Sequence, residues 1–428
     1  MQTAGRLAAA IEVLEEIALH HRPAAKALRD WGRKHRFAGS SDRAAIGNIV
    51  FDALRNKNSL AWAMGDDDAR SLGLGVLSFV WGENCEELCK QSKFSPPALS
   101  DEESLRLAFL SLHEAPAWVR GNYPEWLHVS FTHAFGAQLV EMTAALATRA
   151  PIDLRVNTLK ATREKVLNAL EKFGAEATVH SPIGVRIMPP EKATRSPNVE
   201  IEAAHGKGWF EVQDEGSQLV GLLADVAPGM QVCDLCAGAG GKTLGFAAAM
   251  ANRGQIYAYD KDPYRLRPIF ERLRRAGARN VQVLDTEPGA LDAIKARMDV
   301  VFIDAPCSGT GAWRRKPDAK WRLTAKQLQV RIKQQREVLA MADTVVKPGG
   351  KLVYVTCSLL VEENERQIDW FLAHHDGYTV QPAGEVIAQS GAFDAEVPWI
   401  KGQKYLKLSP ATSGTDGFFA AVLHRSDN

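Results

Sequence analysis

The sequence predicts an α/β protein whose C-terminal half is a mostly parallel, doubly wound sheet, preceded by an all-helical region and a small α/β unit. Three observations carry this. From residue 1 to about 118, apolar residues recur at three- and four-residue steps, as in Leu7-Ile11-Leu14-Ile17 and Ile46-Ile49-Val50-Leu54. From about 206 onward, β-rich runs at 231–236, 255–260, 281–285, 299–304, 351–356, 378–381 and 418–423 alternate with helical stretches, the spacing of βαβ units. Between the two lies a shorter mixture of both patterns. The expected domains are 1–118, 119–205 and 206–428.

The elements follow in order. Ser41-Asp42 offers an N-cap for the helix carrying Ile46. Pro96-Pro97 and Ser100-Asp101 mark a break and a new helix start. The middle region predicts a helix over 134–146, a strand over 153–156, a helix over 162–173 and strands near 176–188. In a doubly wound sheet, ligands bind at the carboxyl ends of the strands, so the turns after each predicted strand are where chemistry is expected.

Composition narrows the class. The chain has 428 residues, 46% hydrophobic and 24% charged, and no apolar run reaches the roughly 18–20 residues of a membrane span. The first residues read as an amphipathic helix, not a signal peptide. Six cysteines in this length make no disulfide scaffold, so a reducing cytoplasm is expected. Net charge is +1, yet its distribution is uneven. Residues 20–57 hold nine Lys/Arg and three Asp, 265–279 six Arg and one Glu, and 314–337 nine Lys/Arg and two acids. Such segments suit a polyanion such as nucleic acid; taken singly, each is equally a solvated helix face.

The stretch VCDLCAGAGGKT (232–243) places glycines where a strand turns into a helix. A phosphate loop needs G-x-x-x-x-G-K-[ST], and its first glycine falls on Cys236. The dinucleotide pattern fits Gly238 and Gly240 but meets Thr243 at its third place. S-adenosyl-L-methionine, which has no phosphates, fits better: it needs close backbone approach more than an anion cradle. Asp260, 22 residues after Gly238, is placed to grip ribose hydroxyls, and Asp285 to accept from the adenine amino group.

Two cysteines stand at consecutive strand ends, Cys307 in VFIDAPCSGTG and Cys357 in LVYVTCSLL. One such cysteine is usually a small buried hydrophobe; two beside the same cleft suggest chemistry. C5 of a pyrimidine is too weak a nucleophile to take a methyl group unaided. A thiolate adding to C6 makes an enamine, and C5 then attacks the methyl sulfonium. The C5 proton must leave before the thiolate is expelled, a step a second polar group assists. Asp304 is positioned to hydrogen-bond the N3/N4 edge. Which cysteine is the nucleophile is left open by this reasoning.

DLCAGAGGKT, DAPCSGTG with RRKPDAKWR, and YVTCS with EEN resemble motifs of the RNA 5-methylcytosine methyltransferases, the Fmu/RsmB/NSUN group. YPEWL, LRVNTLK, QDEGSQL and DGFFAAVL resemble further signatures of that group, so the likeness covers about 120–424. It implies a Rossmann-like methyltransferase domain using S-adenosyl-L-methionine. It implies Cys357 as nucleophile and Cys307 in product release. The implied cofactor contacts are Cys236, Ala237, Gly238, Ala239, Gly240, Gly241, Lys242, Asp260, Asp285 and Asp304, with Arg265 counted among them. The family usually has Pro where this chain has Ala239, which relaxes the loop. SSDRAAIGNIVFDALRN (40–56) resembles the NusB-type RNA-binding domain that precedes the catalytic part in RsmB-type enzymes. The small α/β unit is then expected to be RRM-like and to guide RNA. The implied substrate is small-subunit ribosomal RNA, with tRNA or a non-catalytic assembly role as alternatives, and a monomer with neither metal nor membrane is expected.

Cys233 and Cys236, three apart on a strand, would face opposite sides and make a poor metal pair, as do Cys85 and Cys89 without partners. Arg314, Arg315, Lys320 and Arg322, interleaved with Trp313 and Trp321, suit phosphate contact and base stacking, or else a charged surface over a packed Trp.

Overall fold

The computed structural model describes residues 1–109, 111–287, 289–390 and 403–427. The chain forms two compact units. The first comprises Met1–Arg149, Pro189–Pro197 and Trp313–Leu323; the second comprises Ala150–Met188, Asn198–Ala312 and Thr324–Asn428.

The first unit is helical, and its apolar periodicity becomes its core. Helix Thr3–His20 buries Leu7, Val13 and Leu14. Helix Ser40–Arg55 buries Ile46, Ile49, Val50 and Leu54 against them. This second helix begins earlier than predicted, with Gly39 as N-cap. Asp42 lies within its first turn and pairs with Arg6 at 2.8 Å, so it ties two helices together and caps neither. Ser100 does cap its helix, in a reciprocal capping box with Glu103. The helix expected over 134–146 is broken. His128–Phe135 ends where Gly136 turns to φ 52°, ψ −123°, and the helix resumes at Leu139–Ala145 after a short 3-10 turn. A backbone in that region cannot continue the i to i−4 ladder.

One acid buried in this unit has its hydrogen bonds satisfied. Asp52, 3% exposed, accepts from Trp81 Nε1 at 2.9 Å, Arg55 Nη1 at 2.8 Å and Arg149 Nη2 at 2.5 Å. The basic-aromatic stretch after Ala312 belongs here too, and RNA contact is the wrong reading for its central residues. Trp313 is buried edge-on to Phe131. Lys320 is buried and donates to the Arg55 carbonyl at 2.9 Å, and Trp321 Nε1 donates to the Leu54 carbonyl at 2.6 Å. Arg314 is also buried, its own carbonyl held by Arg55 at 3.0 Å. Composition suggested a surface; the indole and methylene bulk of these side chains favours a core.

The second unit holds two sheets. Strands β1 (Ile152–Val156), β2 (Glu176–Ala177), β3 (Gly184–Ile187) and β4 (Phe210–Val212) form an antiparallel sheet in the order β2-β3-β1-β4. The larger sheet contains β5 (Gln231–Asp234), β6 (Gln255–Ala258), β7 (Val281–Val283), β8 (Met298–Asp304), β9 (Val346–Thr356), β10 (Tyr378–Gln381), β11 (Leu406–Leu408) and β12 (Phe418–Arg425). Its order is β10-β12-β9-β8-β5-β6-β7, with β11 on β12. β5 to β9 pair in parallel, while β12 runs antiparallel to β9. The strand order reverses between β5 and β8, so the switch point opens there.

β5, β6 and β7 each stop two residues earlier than predicted. Cys236, Asp260 and Asp285 therefore lie in turns beyond the strand ends. This corrects the view of Cys233 and Cys236 as one strand's two faces: Cys233 is core, and Cys236 belongs to the turn.

Candidate active site

The glycine turn is shaped by backbone conformation. Gly238 and Gly240 have φ of 51° and 81°, a region where a side chain is strained. A Cβ on Gly240 would also sit 2.5 Å from Ile269. One on Gly238 would point toward Asp260 and Arg265. The Ala239 carbonyl accepts from Arg272 Nη1 at 2.8 Å, and Arg272 pairs with the buried Glu211 at 2.9 Å. The Gly241 carbonyl accepts from Arg155 Nη1 at 2.6 Å, a side chain reaching over from β1. The turn is thus pinned from two sides.

Around it stand three acids. Asp260, 3% exposed, accepts from the Gly238 N–H at 3.0 Å and the Asp262 N–H at 2.9 Å, and meets Arg265 at 3.3 Å. Asp234 is fully buried; Thr243 donates to its Oδ2 at 2.6 Å, while Oδ1 has no partner among the described residues. Burial pushes its carboxyl up to about 7, with Asp304 adding to the shift and Thr243 and Lys242 opposing it. Asp304, at the end of β8, accepts from Lys242 Nζ at 2.8 Å. The half-buried Cys236 thiol is pushed well above its ordinary range by burial and then by the charges of all three acids. Asp285 is exposed and, among the described residues, bonds locally to the N–H of Thr286 at 2.6 Å and of Glu287 at 3.4 Å.

The two cysteines meet. Cys307 Sγ lies 3.4 Å from Cys357 Sγ. The hydrogen bond with Cys357, then burial, then the charges of Cys357 and Glu363 push the Cys307 thiol well up. Their loops are fastened to each other: the Gly311 N–H donates to the Cys357 carbonyl at 3.0 Å, and the Leu359 N–H to Thr310 Oγ1 at 2.8 Å. A Cβ on Gly311 would lie 2.1 Å from the Gly417 carbonyl, so this crossing requires glycine. Residues not singled out from sequence complete the site: Asp234, Arg272, Arg155, Glu363 and Gln335. Asp234, Arg155 and Glu363 lie inside the quoted motifs, but nothing in their spacing announces a role. Arg272 lies in a run that reads as surface charge.

The turn suits a ligand with hydroxyl and ammonium donors. It presents acidic acceptors, one of them an unpartnered buried oxygen, and Lys242, which would hold a phosphate in a nucleotide loop, is engaged by Asp304.

Comparison with known proteins agrees with these features. Residues 222–424 match the family model described as 16S rRNA methyltransferase RsmB/F, and 123–193 match a Methyltr_RsmF/B-like, ferredoxin-like domain. The chain is 31% identical over 312 residues to the probable ribosomal RNA small subunit methyltransferase B of Synechocystis, covering 71% of this chain and 67% of that one. It is 34% identical over 306 residues to the ribosomal RNA small subunit methyltransferase B of Salmonella arizonae, covering 70% and 66%. The matched stretch thus spans about two-thirds of these relatives. Among solved structures, the crystal structure of PH0851 covers 99% of both chains at 25% identity and TM-score 0.72. A methyltransferase homolog protein from Pyrococcus horikoshii covers 72% of this chain and 97% of its own at 26% identity and TM-score 0.58.

Proposed function

Because the chain belongs to the RsmB/F family of 16S ribosomal RNA methyltransferases, we propose that it methylates C5 of a cytosine in small-subunit ribosomal RNA, using S-adenosyl-L-methionine. The observation that carries this reading is the pair of sulfurs 3.4 Å apart beyond adjoining strands, with Asp304, paired to Lys242, three residues before Cys307. Carbon methylation of a pyrimidine needs a thiolate, and amine methylation does not.

The cofactor, when bound, supplies an electrophilic methyl group on a sulfonium. Gly238, Ala239 and Gly240 offer it backbone; Asp260, flanked by Arg265, offers acceptors for ribose; and Asp234 offers a buried acceptor. Cys236, Ala237, Gly241 and Lys242 complete the turn. Asp285 is the weakest member of the set, since its carboxylate is exposed and spent on its own turn.

Cys357 serves as nucleophile. At 3.4 Å the Cys307 S–H is within reach to donate to Cys357 Sγ when that sulfur is ionised for attack. Cys357 Sγ bonds to C6 of the cytosine, and the ring electrons move onto C5, which takes the methyl group. Asp304, steadied by Lys242, accepts from the N4 amino edge. The C5 proton then passes to water, the C–H electrons re-form the C5=C6 bond, and Cys357 Sγ departs from C6 with the S–C6 electron pair as a thiolate, which the Cys307 S–H assists by hydrogen-bonding to it. The base must be unstacked to reach the sulfurs, which favours an accessible loop or an assembly intermediate as substrate.

Residues 1–118 and 119–205 are proposed to guide RNA, the first through the exposed Lys26, Arg29, Arg33, Lys34 and Arg36. The enzyme is proposed to act as a monomer in the cytoplasm, a location its six free cysteines support.

The test uses RNA from a host lacking this modification and labelled S-adenosyl-L-methionine. Cys357→Ala should abolish transfer, and Cys307→Ala should accumulate a denaturation-resistant protein–RNA adduct. Bisulfite sequencing then locates the base, and a parallel tRNA arm compares substrates. Transfer by Cys357→Ala would refute the nucleophile assignment; no transfer by the wild type to any RNA would leave a binding role.

A further inference from the structure

The Cys307 loop is held by one buried acid that the mechanism above does not use. Glu363, fully buried, lies between the loop after β8 and the loop after β9. Its Oε1 accepts from the Ser308 N–H at 2.8 Å and from Gln335 Nε2 at 2.9 Å, and its Oε2 accepts from Ser308 Oγ. Gln335, also buried, uses the same amide nitrogen to hold the Pro306 carbonyl at 2.9 Å. The residues on both sides of Cys307 are therefore fixed by one carboxylate–amide pair.

The acid is itself held rigidly. Tyr354 Oη donates to the Glu363 carbonyl at 2.7 Å. The adjoining Asn364 accepts from Thr356 Oγ1 at 2.6 Å and donates to the Ser358 carbonyl at 2.9 Å, flanking Cys357. Burial pushes the Glu363 carboxyl up, against the hydrogen bonds from Ser308, Ser358 and Gln335. The Ser308 N–H and the Gln335 amide N–H can only donate, so the arrangement calls for an acceptor at Oε1, while the Ser308 hydroxyl at Oε2 can donate or accept. A buried acid so fully used for loop support has a cost of desolvation. A purely architectural contact at this place would be served as well by a neutral group.

We propose that Glu363 is a positioning residue for the release half of the reaction, setting the Cys307 thiol against the Cys357–C6 adduct through Ser308 and Gln335. This rests on the reading of Cys307 above. Glu363 touches neither sulfur through a hydrogen bond of its own; it acts through the loop. Replacing it with Gln keeps the volume but exchanges a carboxylate acceptor for a weaker amide one at the Ser308 N–H and Gln335, and reverses the contact with Ser308 Oγ, which must then accept. Adduct formation depends on Cys357 and should survive, while adduct resolution should slow.

The experiment compares wild type, Glu363→Gln, Cys307→Ala and the double variant, each with its RNA substrate and S-adenosyl-L-methionine. Single-turnover adduct formation and adduct decay are followed separately on denaturing gels. Glu363→Gln should slow decay by at least tenfold and leave the formation rate and cofactor Kd within about twofold of wild type. In the Cys307→Ala background, Glu363→Gln should add nothing, because both act on one step. If it slows formation and decay equally, or adds its full effect to Cys307→Ala, Glu363 is merely structural and the proposal falls. If Cys307→Ala resolves its adduct at the wild-type rate, the reading of Cys307 fails first and is distinguished by that arm. Should Glu363→Gln not fold, Ser308→Ala, which removes the hydroxyl's contacts with Glu363 and Ser358 but keeps the backbone N–H bond to Glu363, must show the same selective slowing of decay at smaller amplitude; a wild-type decay rate would overturn the proposal.

Discussion

Asp52 of the helical unit and Asp234 of the sheet unit are both buried acids, but they use their charge differently. In the helical unit, Asp52 is met by Arg55, Arg149 and Trp81, and Lys320 is spent on the Arg55 carbonyl. In the sheet unit, among the described residues, Asp234 keeps an oxygen without a partner, and Asp304, a third exposed, pairs with Lys242. A buried polar group without a partner costs stability. A fold tolerates that where a ligand completes the set. The difference separates charge that holds a fold from charge held in reserve for a reaction, and it can be broken or sharpened by mutation.

The largest effect is expected at Asp52. Asp52→Ala takes the carboxylate partner from Arg55 and Arg149, which keep only backbone carbonyls among the described residues, and unpairs the Trp81 indole N–H; breaking a buried ion pair from one side costs about 3–5 kcal/mol. Thermal unfolding of the helical unit should fall by about 10 °C, while cofactor affinity measured below the transition stays unchanged. A loss of affinity in step with stability would erase the distinction between the units.

Lys320 is next. Burial, with Arg55 adding to it, lowers its pKa to about 7. Between about 7 and the ordinary 10.5, the unfolded chain holds a proton that the folded chain lacks, so stability should rise with pH across that window. The gain is on the order of 1–4 kcal/mol. Melting curves of Lys320→Met at pH 7, 8 and 9 should show a flatter slope than wild type. Equal slopes would mean the amine is hydrated and charged.

The same two regions show what can be read from sequence and why. The doubly wound order, the glycine turn and both strand-end cysteines were legible, because each rests on period, conformation or a reactive atom at a fixed place. Gly240 is required by φ and by Ile269. The stretch from Trp313 to Arg322 misled, because basic and aromatic residues look alike on a surface and in a core sealed by backbone carbonyls. The break at Gly136 went unseen, since a glycine in a helical pattern does not declare its φ. Glu363 and Arg272 were invisible as partners because their contacts join distant segments.

Asp234 tests the reserved charge directly. Its carboxyl, pushed up to about 7, is mostly neutral at pH 6 and ionised at pH 8. Affinity for the cationic S-adenosyl-L-methionine should therefore rise with pH over that range by about tenfold, the equivalent of 1.4 kcal/mol, and Asp234→Asn should flatten the curve. Stability should move the other way: the folded state holds the proton between the ordinary carboxylate range and 7, so wild type loses stability relative to Asp234→Asn as pH rises through that window. Calorimetric titration and melting at matched pH read both signs, and parallel slopes would place Asp234 with the structural charges.

The smallest effect concerns Ala239, where the resembling family usually has proline. Here the turn's carbonyl is gripped by Arg272, and Arg272 and Arg275 share Glu211 at 2.9 and 2.7 Å. Burial pushes the Glu211 carboxyl up, but the hydrogen bond from Arg275 and the charge of Arg272 hold it below its usual range. Arg272→Ala leaves Glu211 its Arg275 partner, so the fold should persist while the cofactor turn loosens. Proline limits the same freedom in the unfolded and unliganded chain, worth about 0.4–1 kcal/mol where the geometry allows it. Cofactor Kd should weaken about three- to fivefold in Arg272→Ala and recover in Arg272→Ala/Ala239→Pro. Recovery would show that a distant guanidinium performs in this chain what a ring performs locally; a double variant weaker than either single one would show that the turn needs the arginine's charge and not its restraint.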